Sequence, residues 1–552
     1  KTLVKYCILM SIETTLAETY KPMLGIINND HFFSYAHCRR GNPKLNLKRD
    51  VFGKTYSDDY GRAFTDVKDL FVDFDTYKLL KLSEFHDDMD FTTTRTGSGF
   101  LFRSMIKPPQ DLEFILAKQE ALTEIAENEE LRTAVQDYLS VFKRHEANMV
   151  KAFNSYFETG PNVMDSFKKL KQAIPELLEA AEKIPMPESK YGKHLVESLK
   201  QFADSRAHTL LTEPVYNVMG DVVTKDKISF LTLGWKMRPT GVTPGNCAFA
   251  LTTLGLVGLY ALTKYTPLDL SGFGIDESTF NIMIPRSGVA MLSNLAAWIK
   301  RLISSNGYGA LLGTVSRDQA TSDLFESTGQ LDEFMSFYEH SKRSNDKKIL
   351  PVITDAEQHY FEATDLRDPA MSVKNEYCKE NDVILGKDRL TFLSGPNSNG
   401  KTTLSLTIAR NQIMGQIGGY VQAGYANIGI ADKIRIRVPL IGGANYDGGR
   451  LEEELKQVKA AYDESTSRSL NILDEIVGGT TFDEQTEIGY KALMKFYEKL
   501  INTLVITHNS NLIEKFKEEG IGQYLMTLLR NGQPTYKITP CISKEGHSEH
   551  VV

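Results

Sequence analysis

The chain has 552 residues, 41% hydrophobic and 24% charged, and it is too long for one hydrophobic core, so we expect about three domains. The net charge of −7 excludes a uniformly basic surface, and any nucleic-acid partner must therefore be bound by local basic patches. The five cysteines are scattered and form no C-x-x-C pair. This usage favours a reducing compartment and argues against a zinc site.

The N-terminal segment, residues 1–68, gives a mixed pattern from which we predict no fold. A basic and aromatic stretch at 32–56 has the composition to contact a phosphate backbone, although such runs are also typical of solvated loops. The first ten residues lack an initiator Met and a small-residue cleavage site. We therefore do not predict a signal peptide.

From residue 69 onwards the apolar residues recur at helical spacing, and residues 69–385 predict a mostly α-helical core or lever domain. Gly and Pro become frequent at 213–285, which predicts a small insertion. The apolar run 248–262 falls short of the about 20 residues that span a bilayer. It predicts a buried helix, with a membrane-touching segment as the alternative.

The strongest pattern is a short apolar strand, a glycine-rich loop spaced G-x-x-x-x-G-K-T, and a helix. This order is typical of a phosphate-binding loop, whose backbone N–H groups and helix N-terminus attract phosphate oxygens. Lys401 is expected to reach the β- and γ-phosphates, and the Thr402 hydroxyl to bind Mg²⁺. The residues predicted to bind ATP here are Gly395, Pro396, Asn397, Ser398, Asn399, Gly400, Lys401, Thr402 and Thr403.

Two later strands end in polar side chains that complete a nucleotide site. Asp474 is suited to hold Mg²⁺, and Glu475 to orient or deprotonate the attacking water. His508 ends the next strand and is placed to contact the γ-phosphate. Asn471 is unusual for a buried strand, and we expect it at the edge. Asn531-Gly532 predicts a β-hairpin near the end of the chain.

Gly448, Gly449 and Arg450 open a polar helix, which makes a second anion-binding helix end. In ABC-type ATPases this element faces the nucleotide of the partner subunit. The order of phosphate loop, Gly-Gly helix, carboxylate pair and strand-end His therefore predicts an α/β ABC-type P-loop ATPase domain with a largely parallel sheet at 386–552. The class implies that two chains enclose two ATP molecules.

Several of these motifs resemble those of the MutS family of DNA mismatch-repair ATPases. Residues 395–402 resemble the family's GPNxxGK[ST], 418–434 its G-x-Y-V-P-A…I-G…D-x-I run, and 473–481 its D-E-x-x-R-G-T-S. Ile506-Thr507-His508 resembles its T-H strand end. Residues 94–108 are similar to the start of the family's helical core domain, and Leu331-Asp332, Arg367-Asp368-Pro369 and Asn381-Asp382 resemble further landmarks.

The sequence also departs from the family pattern. Gly449-Arg450 replaces a Ser-Thr pair, Asp368 stands where the family has the His of R-H-P, and Gly479 replaces the Arg of the R-G-T turn. Because Gly449-Arg450 lacks the Ser-Thr hydroxyls, the family's contact to the partner's γ-phosphate is in doubt in this chain. Arg450 could supply that contact instead. Residues 1–68 are too few for the family's mismatch-reading domain, and we expect no C-terminal dimerisation extension.

The resemblance implies a homodimeric, Mg²⁺-dependent ATPase in the cytoplasm, nucleoid-associated if bacterial, that joins through its ATPase domains. Lys401, Glu475 and His508 would be catalytic, Thr402 and Asp474 would hold the metal, and ATP would close two helical arms around duplex, mismatched or branched DNA. Two alternatives remain open: a homologue acting on recombination intermediates or in defence, and an ATP-switched module for a non-DNA partner. The sequence gives no firm evidence of a membrane partner.

Overall fold

The computed structural model describes most of the helical region and of the C-terminal α/β region. The predicted segment 1–68, nearly all of the predicted insertion 213–285 and of the residues that follow it up to 317, and residues 439–449 lie outside the described residues. The described residues are 71–154, 161–212, 215–216, 222–223, 312, 315, 318–343, 346–374, 378–396, 399–438, 450–530 and 533–540.

The helical region contains nine described helices and one short antiparallel strand pair. The chain is helical here because long apolar stripes recur every three to four residues. The elements are α1 (Phe74–Leu79), α2 (Leu82–Met89), α3 (Arg95–Ile106), α4 (Leu112–Glu127), α5 (Glu129–Asn154), α6 (Pro161–Glu182), α7 (Lys190–Gln201), a 3₁₀ turn (Phe202–Asp204), α8 (Arg206–Thr212), β1 (Val215–Tyr216), β2 (Val222–Val223) and α9 (Gln319–Lys342).

Helix α9 is the centre of this region, because α3, α4, α5 and α7 all pack against it. It is buried on nearly every side, so its charged side chains need partners within the protein. Glu333 accepts a hydrogen bond from Lys118 Nζ at 2.8 Å, and Glu326 accepts one from Arg103 Nη2 at 2.5 Å. Removing one partner of such a buried pair leaves an uncompensated charge, so these contacts fix how α3 and α4 sit on α9.

The N-terminus of α3 is held by two buried carboxylates from other helices. Asp332 on α9 accepts hydrogen bonds from the backbone N–H of Thr93 at 2.8 Å and of Thr94 at 2.7 Å. Glu146 on α5 accepts from the N–H of Thr96 at 2.5 Å. Anionic side chains are favourable at a helix N-terminus, where the backbone N–H groups lack partners within the helix. Three helices are thereby joined at one point.

Gly97→Ala is expected to lower the free energy of unfolding by about 2 kcal/mol through overpacking. A Cβ built at Gly97 lies 2.2 Å from Oδ2 of Asp332, which cannot withdraw without releasing the N–H groups of Thr93 and Thr94 just before α3. The midpoint of urea denaturation measures the loss. As a control, Gly489→Ala places its Cβ 3.3 Å from a Leu512 methyl and should have little effect. Equal losses in both variants would contradict this account.

The C-terminal region alternates strands and helices, as the sequence predicts. Its elements are β3 (Val352–Thr354), β4 (Phe361–Leu366), α10 (Pro369–Val373), β5 (Asn381–Leu385), β6 (Leu390–Ser394), α11 (Lys401–Gln416), β7 (Tyr425–Gly429), β8 (Ile434–Arg437), α12 (Arg450–Glu464), β9 (Leu470–Asp474), α13 (Phe482–Glu498), β10 (Asn502–Ile506), α14 (Ser510–Glu518), β11 (Gln523–Arg530) and β12 (Gln533–Pro540).

The larger sheet has the order β12-β11-β6-β10-β9-β8. All neighbours are parallel except β11 and β12, which pair antiparallel. The predicted largely parallel sheet and the terminal hairpin are therefore confirmed, although Asn531 and Gly532 lie outside the described residues. Asn471 was predicted at an edge, and that prediction is wrong. It is fully buried in the interior strand β9, where its Nδ2 donates to Ser465 Oγ at 2.9 Å.

A smaller sheet has the order β3-β7-β4-β5, so β7, which lies within the predicted ATPase domain 386–552, pairs with strands that precede residue 386. The predicted domain boundaries stay predictions. The C-terminal end of α11 contacts the helical region directly, because Gln416 Nε2 donates to the carbonyl of Pro109 at 3.0 Å. Helix α11 therefore links the two regions.

Within the part of the chain that the structure describes, no helix is both long enough and apolar enough to cross a membrane. The apolar run 248–262 is outside that part.

Candidate functional site

Three predicted site segments meet at one edge of the larger sheet. Strand β10 is hydrogen-bonded to β6 on one side and to β9 on the other, with all three parallel. The carboxyl ends of adjacent parallel strands lie side by side, and this is where ligands bind in open α/β sheets. The glycine-rich loop after β6, the acids ending β9 and His508 after β10 are therefore neighbours.

The glycine-rich loop requires glycine at both glycine positions of its motif. Gly395 has φ +138° and Gly400 has φ +83°, a region of backbone space that side chains disfavour. A Cβ at Gly395 would also collide with Thr527 Oγ1. Gly400 is the N-cap of α11 and supplies no side-chain hydrogen bond, so the first N–H groups of the helix point toward the loop. This end of α11 suits an anion.

The structure describes only some of the remaining loop residues. Asn399 is buried and its Nδ2 donates to the carbonyl of Leu528 at 3.2 Å. Thr403 is exposed in the first turn of α11. Asn397 and Ser398 lie outside the described residues, so their predicted role in binding nucleotide stays a prediction.

Lys401 folds back into the loop. Its Nζ donates to the carbonyls of Gly395 and Pro396, each at 2.8 Å, and lies 3.2 Å from His508 Nε2. Burial lowers the pKa of Lys401, while the nearby charges of Asp474 and Glu475 act in the opposite direction. Because an ammonium group can only donate, a hydrogen bond between Lys401 Nζ and His508 Nε2 requires Nε2 to be the acceptor.

Thr402 and Asp474 form a pair of oxygen donors. The Thr402 hydroxyl donates to Asp474 Oδ2 at 3.3 Å. Burial raises the pKa of Asp474, opposed by this hydrogen bond and by the charge of Lys401. A hydroxyl and a carboxylate are hard oxygen ligands that fit Mg²⁺. No cluster of three or more His, Cys, Asp or Glu side chains within the described ranges could hold a metal, and Mg²⁺ commonly completes its shell with waters and phosphates.

Glu475 is fixed in an unusual backbone conformation beside His508. It has φ +47°, its N–H donates to the carbonyl of Ile506 at 2.9 Å, and its Oε1 accepts the backbone N–H of His508 at 2.8 Å. Burial is the main cause that raises the pKa of Glu475, and burial also lowers the pKa of His508, with Lys401 as the second cause. Both groups are thereby shifted toward their neutral forms.

The structure describes little of the segment that is predicted to contact a partner's nucleotide. Gly448 and Gly449 lie outside the described residues, and Arg450 is described only as the first residue of α12. Of the other departures from the family pattern, Asp368 caps α10 and binds Arg410 Nη1 at 2.8 Å. Gly479 donates its N–H to Glu454 Oε2 at 3.0 Å.

Sequence reasoning missed the hairpin β11–β12 as part of the site. Thr527 lies against Gly395, the Leu528 carbonyl binds Asn399, and the Tyr536 ring lies 3.1 Å from a Cβ built at Gly400. The partly exposed ring of Tyr536 offers an aromatic face next to the phosphate loop, on which a nucleotide base can stack. No local signal marks these residues, because their contacts span more than 120 positions of the sequence.

The family model for MutS domain V matches residues 391–545. The DNA mismatch repair protein MutS of Syntrophobacter fumaroxidans is 25% identical over 473 residues, which are 78% of this chain and 50% of that protein. Human DNA mismatch repair protein Msh3 is 32% identical over 166 residues, 29% of this chain and 15% of that protein. The MutS of Ruminiclostridium cellulolyticum is 34% identical over 164 residues, 28% of this chain and 18% of that protein. The chain thus spans half the length of these relatives or less.

Proposed function

Because this chain belongs to the MutS family, we propose that it is an ATP-dependent DNA-binding protein of DNA mismatch repair, in which Mg²⁺-dependent ATP hydrolysis is coupled to clamping of DNA. One observation carries the proposal. The side chains that phosphoryl transfer needs, namely a lysine, a hydroxyl, two carboxylates and a histidine, converge at the ends of three adjacent parallel strands.

The first task of the site is to hold phosphate. The N–H groups at the start of α11 and the Lys401 ammonium provide the donors, and Lys401 exchanges its bonds to two loop carbonyls for bonds to phosphate oxygens. The Tyr536 ring, which lies beside Gly400, is proposed to stack on the base. Thr402 and Asp474 would hold Mg²⁺, which, when bound, supplies charge neutralisation at the phosphates.

The second task is to prepare water. Glu475 is the proposed general base, and its raised pKa brings it nearer the operating pH than an ordinary carboxyl group. Burial, followed by the charge of Lys401, lowers the pKa of His508, and this residue is proposed to contact the γ-phosphate. The His508 N–H holds the Glu475 carboxylate, so the two residues are positioned together.

The coupling to DNA is proposed through the dimer and the helical region. Two ATPase domains would enclose two ATP molecules, with the start of α12 in one subunit facing the nucleotide of the other. Helix α11 begins at the phosphate loop and ends on the helical region, where Gln416 binds Pro109. The helical regions of the two subunits would form two arms. If ATP binds one arrangement of these arms more tightly than the other, ATP binding would determine whether the arms close around DNA.

A binding assay tests the DNA partner. Fluorescent homoduplex, single-mismatch and four-way DNA of equal length would be titrated with the full chain, with ATP or ADP, across a salt series. We expect tightest binding to the mismatch, a dependence on nucleotide, and weakening as salt rises because phosphate contacts release counterions. Preference for the four-way DNA would assign the protein to recombination intermediates instead. Absence of any salt-dependent binding would overturn the DNA partner altogether.

A further inference from the structure

The loop between β9 and α13 carries Glu475 and is held in a strained shape. Glu475 and Val477 have φ values of +47° and +62°, which are disfavoured for residues other than glycine and most of all for a β-branched residue. Such conformations persist only where the surroundings impose them. The bond from Glu475 N–H to the Ile506 carbonyl and the complete burial of Val477 supply part of that support.

Glu454 on α12 supplies a further support from a different element. Its Oε2 accepts the backbone N–H of Gly479 at 3.0 Å, four residues after Glu475. Glu454 is 4% exposed, in contrast to the exposed Glu452 on the same helix. A charged acceptor makes this hydrogen bond stronger than a neutral one. The loop is therefore tied to α12 as well as to β10.

Glu454 also lines one small cavity together with the proposed metal ligand Asp474 and the proposed general base Glu475. Glu454, Val458, Asp474, Glu475 and Val477 line the same cavity of about 10 Å³. Val458 belongs to the same apolar cluster as Val477, so α12 packs against the loop as well as bonding to it. A shift of α12 would therefore be transmitted to the loop that orients Glu475, because packed interiors have little free volume.

We infer that Glu454 is a positioning residue that fixes the loop carrying Glu475 and ties its geometry to α12. The inference rests on the proposed function. Helix α12 starts at Arg450, one turn before Glu454, in the segment predicted to face the partner's nucleotide. In the proposed dimer, α12 of one subunit would contact the nucleotide bound by the other subunit. Glu454 thus couples closure of the dimer on that nucleotide to the alignment of Glu475 in the same subunit as the helix.

The test compares Glu454→Ala, Glu454→Gln and the control Glu452→Ala in the full chain. Steady-state ATP hydrolysis, binding of a fluorescent ATP analogue, and hydrogen exchange of the 476–481 backbone would be measured for each. Since misplacing a catalytic group by about 1 Å can cost about a hundredfold in rate, we expect Glu454→Ala to lower kcat between roughly tenfold and a hundredfold. Nucleotide affinity should stay within about threefold, because the phosphate-binding residues are untouched.

Glu454→Gln should keep most of the activity, because its amide oxygen still accepts the Gly479 N–H, although more weakly. Hydrogen exchange at 476–481 should accelerate in Glu454→Ala and much less in Glu454→Gln. Unchanged exchange in Glu454→Ala, or faster exchange with unchanged kcat, would overturn the inference while leaving the proposed ATPase intact. A wild-type chain that binds but never hydrolyses ATP would overturn the proposed function, and with it the catalytic role of Glu454.

Discussion

Lys401→Ala is expected to reduce kcat/KM for ATP hydrolysis by about a hundred- to a thousandfold, the usual cost of deleting a donor that stabilises transition-state charge. Lys401 is the ammonium group that the structure places inside the loop, with bonds to the carbonyls of Gly395 and Pro396. Its loss also removes a charge from phosphate binding, so the affinity for ATP should fall as well. A coupled phosphate-release assay and titration with a fluorescent ATP analogue measure the two effects.

The matched control is Lys491→Ala, which removes an exposed lysine from α13 and should leave both quantities unchanged. Thermal unfolding of both variants without nucleotide separates a loss of chemistry from a loss of fold. ATP should raise the melting temperature of the wild type and of Lys491→Ala but hardly that of Lys401→Ala, because only binding to the native state stabilises it. Full activity and full ATP stabilisation in Lys401→Ala would refute the phosphate-loop assignment.

The core of this site could be predicted because its signals are local. A strand followed by Gly395, Gly400 and Lys401 is typical of a phosphate-binding loop. Parallel strands bring their carboxyl ends to the same edge of a sheet, wherever the strands occur in the sequence. Asp474 and His508 could therefore be placed near the loop without knowing the strand order. The structure adds that β10 lies between β6 and β9, which puts His508 within hydrogen-bonding distance of Lys401.

The supporting contacts could not be predicted, because they depend on packing between distant segments. Glu452, Glu453 and Glu454 look alike in the sequence, and only the fold shows that Glu454 is buried on the loop after Glu475. The same holds for Thr527, whose position against Gly395 depends on the parallel pairing of β11 with β6. Contacts of this kind have no periodicity or spacing to reveal them.

Polar residues in buried elements were the most misleading signals. Asn471 suggested an edge position, yet Ser465 satisfies its amide in the interior of the sheet. Helix α9 contains many polar side chains, yet Lys118 pairs with its Glu333 and α9 lies at the centre of the helical region. Burying a polar group is tolerated when its partner is supplied, and the partner is usually far away in sequence.

Glu475→Gln is expected to separate ATP binding from hydrolysis. Removing the general base should lower kcat by about a hundred- to ten-thousandfold, the range that general base catalysis contributes. The glutamine oxygen can still accept the His508 N–H, so the loop should keep its shape and ATP should still bind. Because ATP is then held without turnover, the proposed dimer should persist with ATP and Mg²⁺, as measured by light scattering after size-exclusion chromatography.

The pH dependence identifies the titrating group. Burial raises the pKa of Glu475 above its ordinary value of 4.5, and the base acts only when ionised. The wild-type kcat should therefore fall as the pH decreases, beginning at a higher pH than for an ordinary carboxyl group. That acidic limb should be absent from the residual activity of Glu475→Gln but retained by Glu487→Gln, which alters an exposed carboxyl group on α13.

If Glu475→Gln turns over ATP at the wild-type rate, another residue prepares the water. If it loses ATP binding together with hydrolysis, Glu475 serves the nucleotide pocket rather than the chemical step.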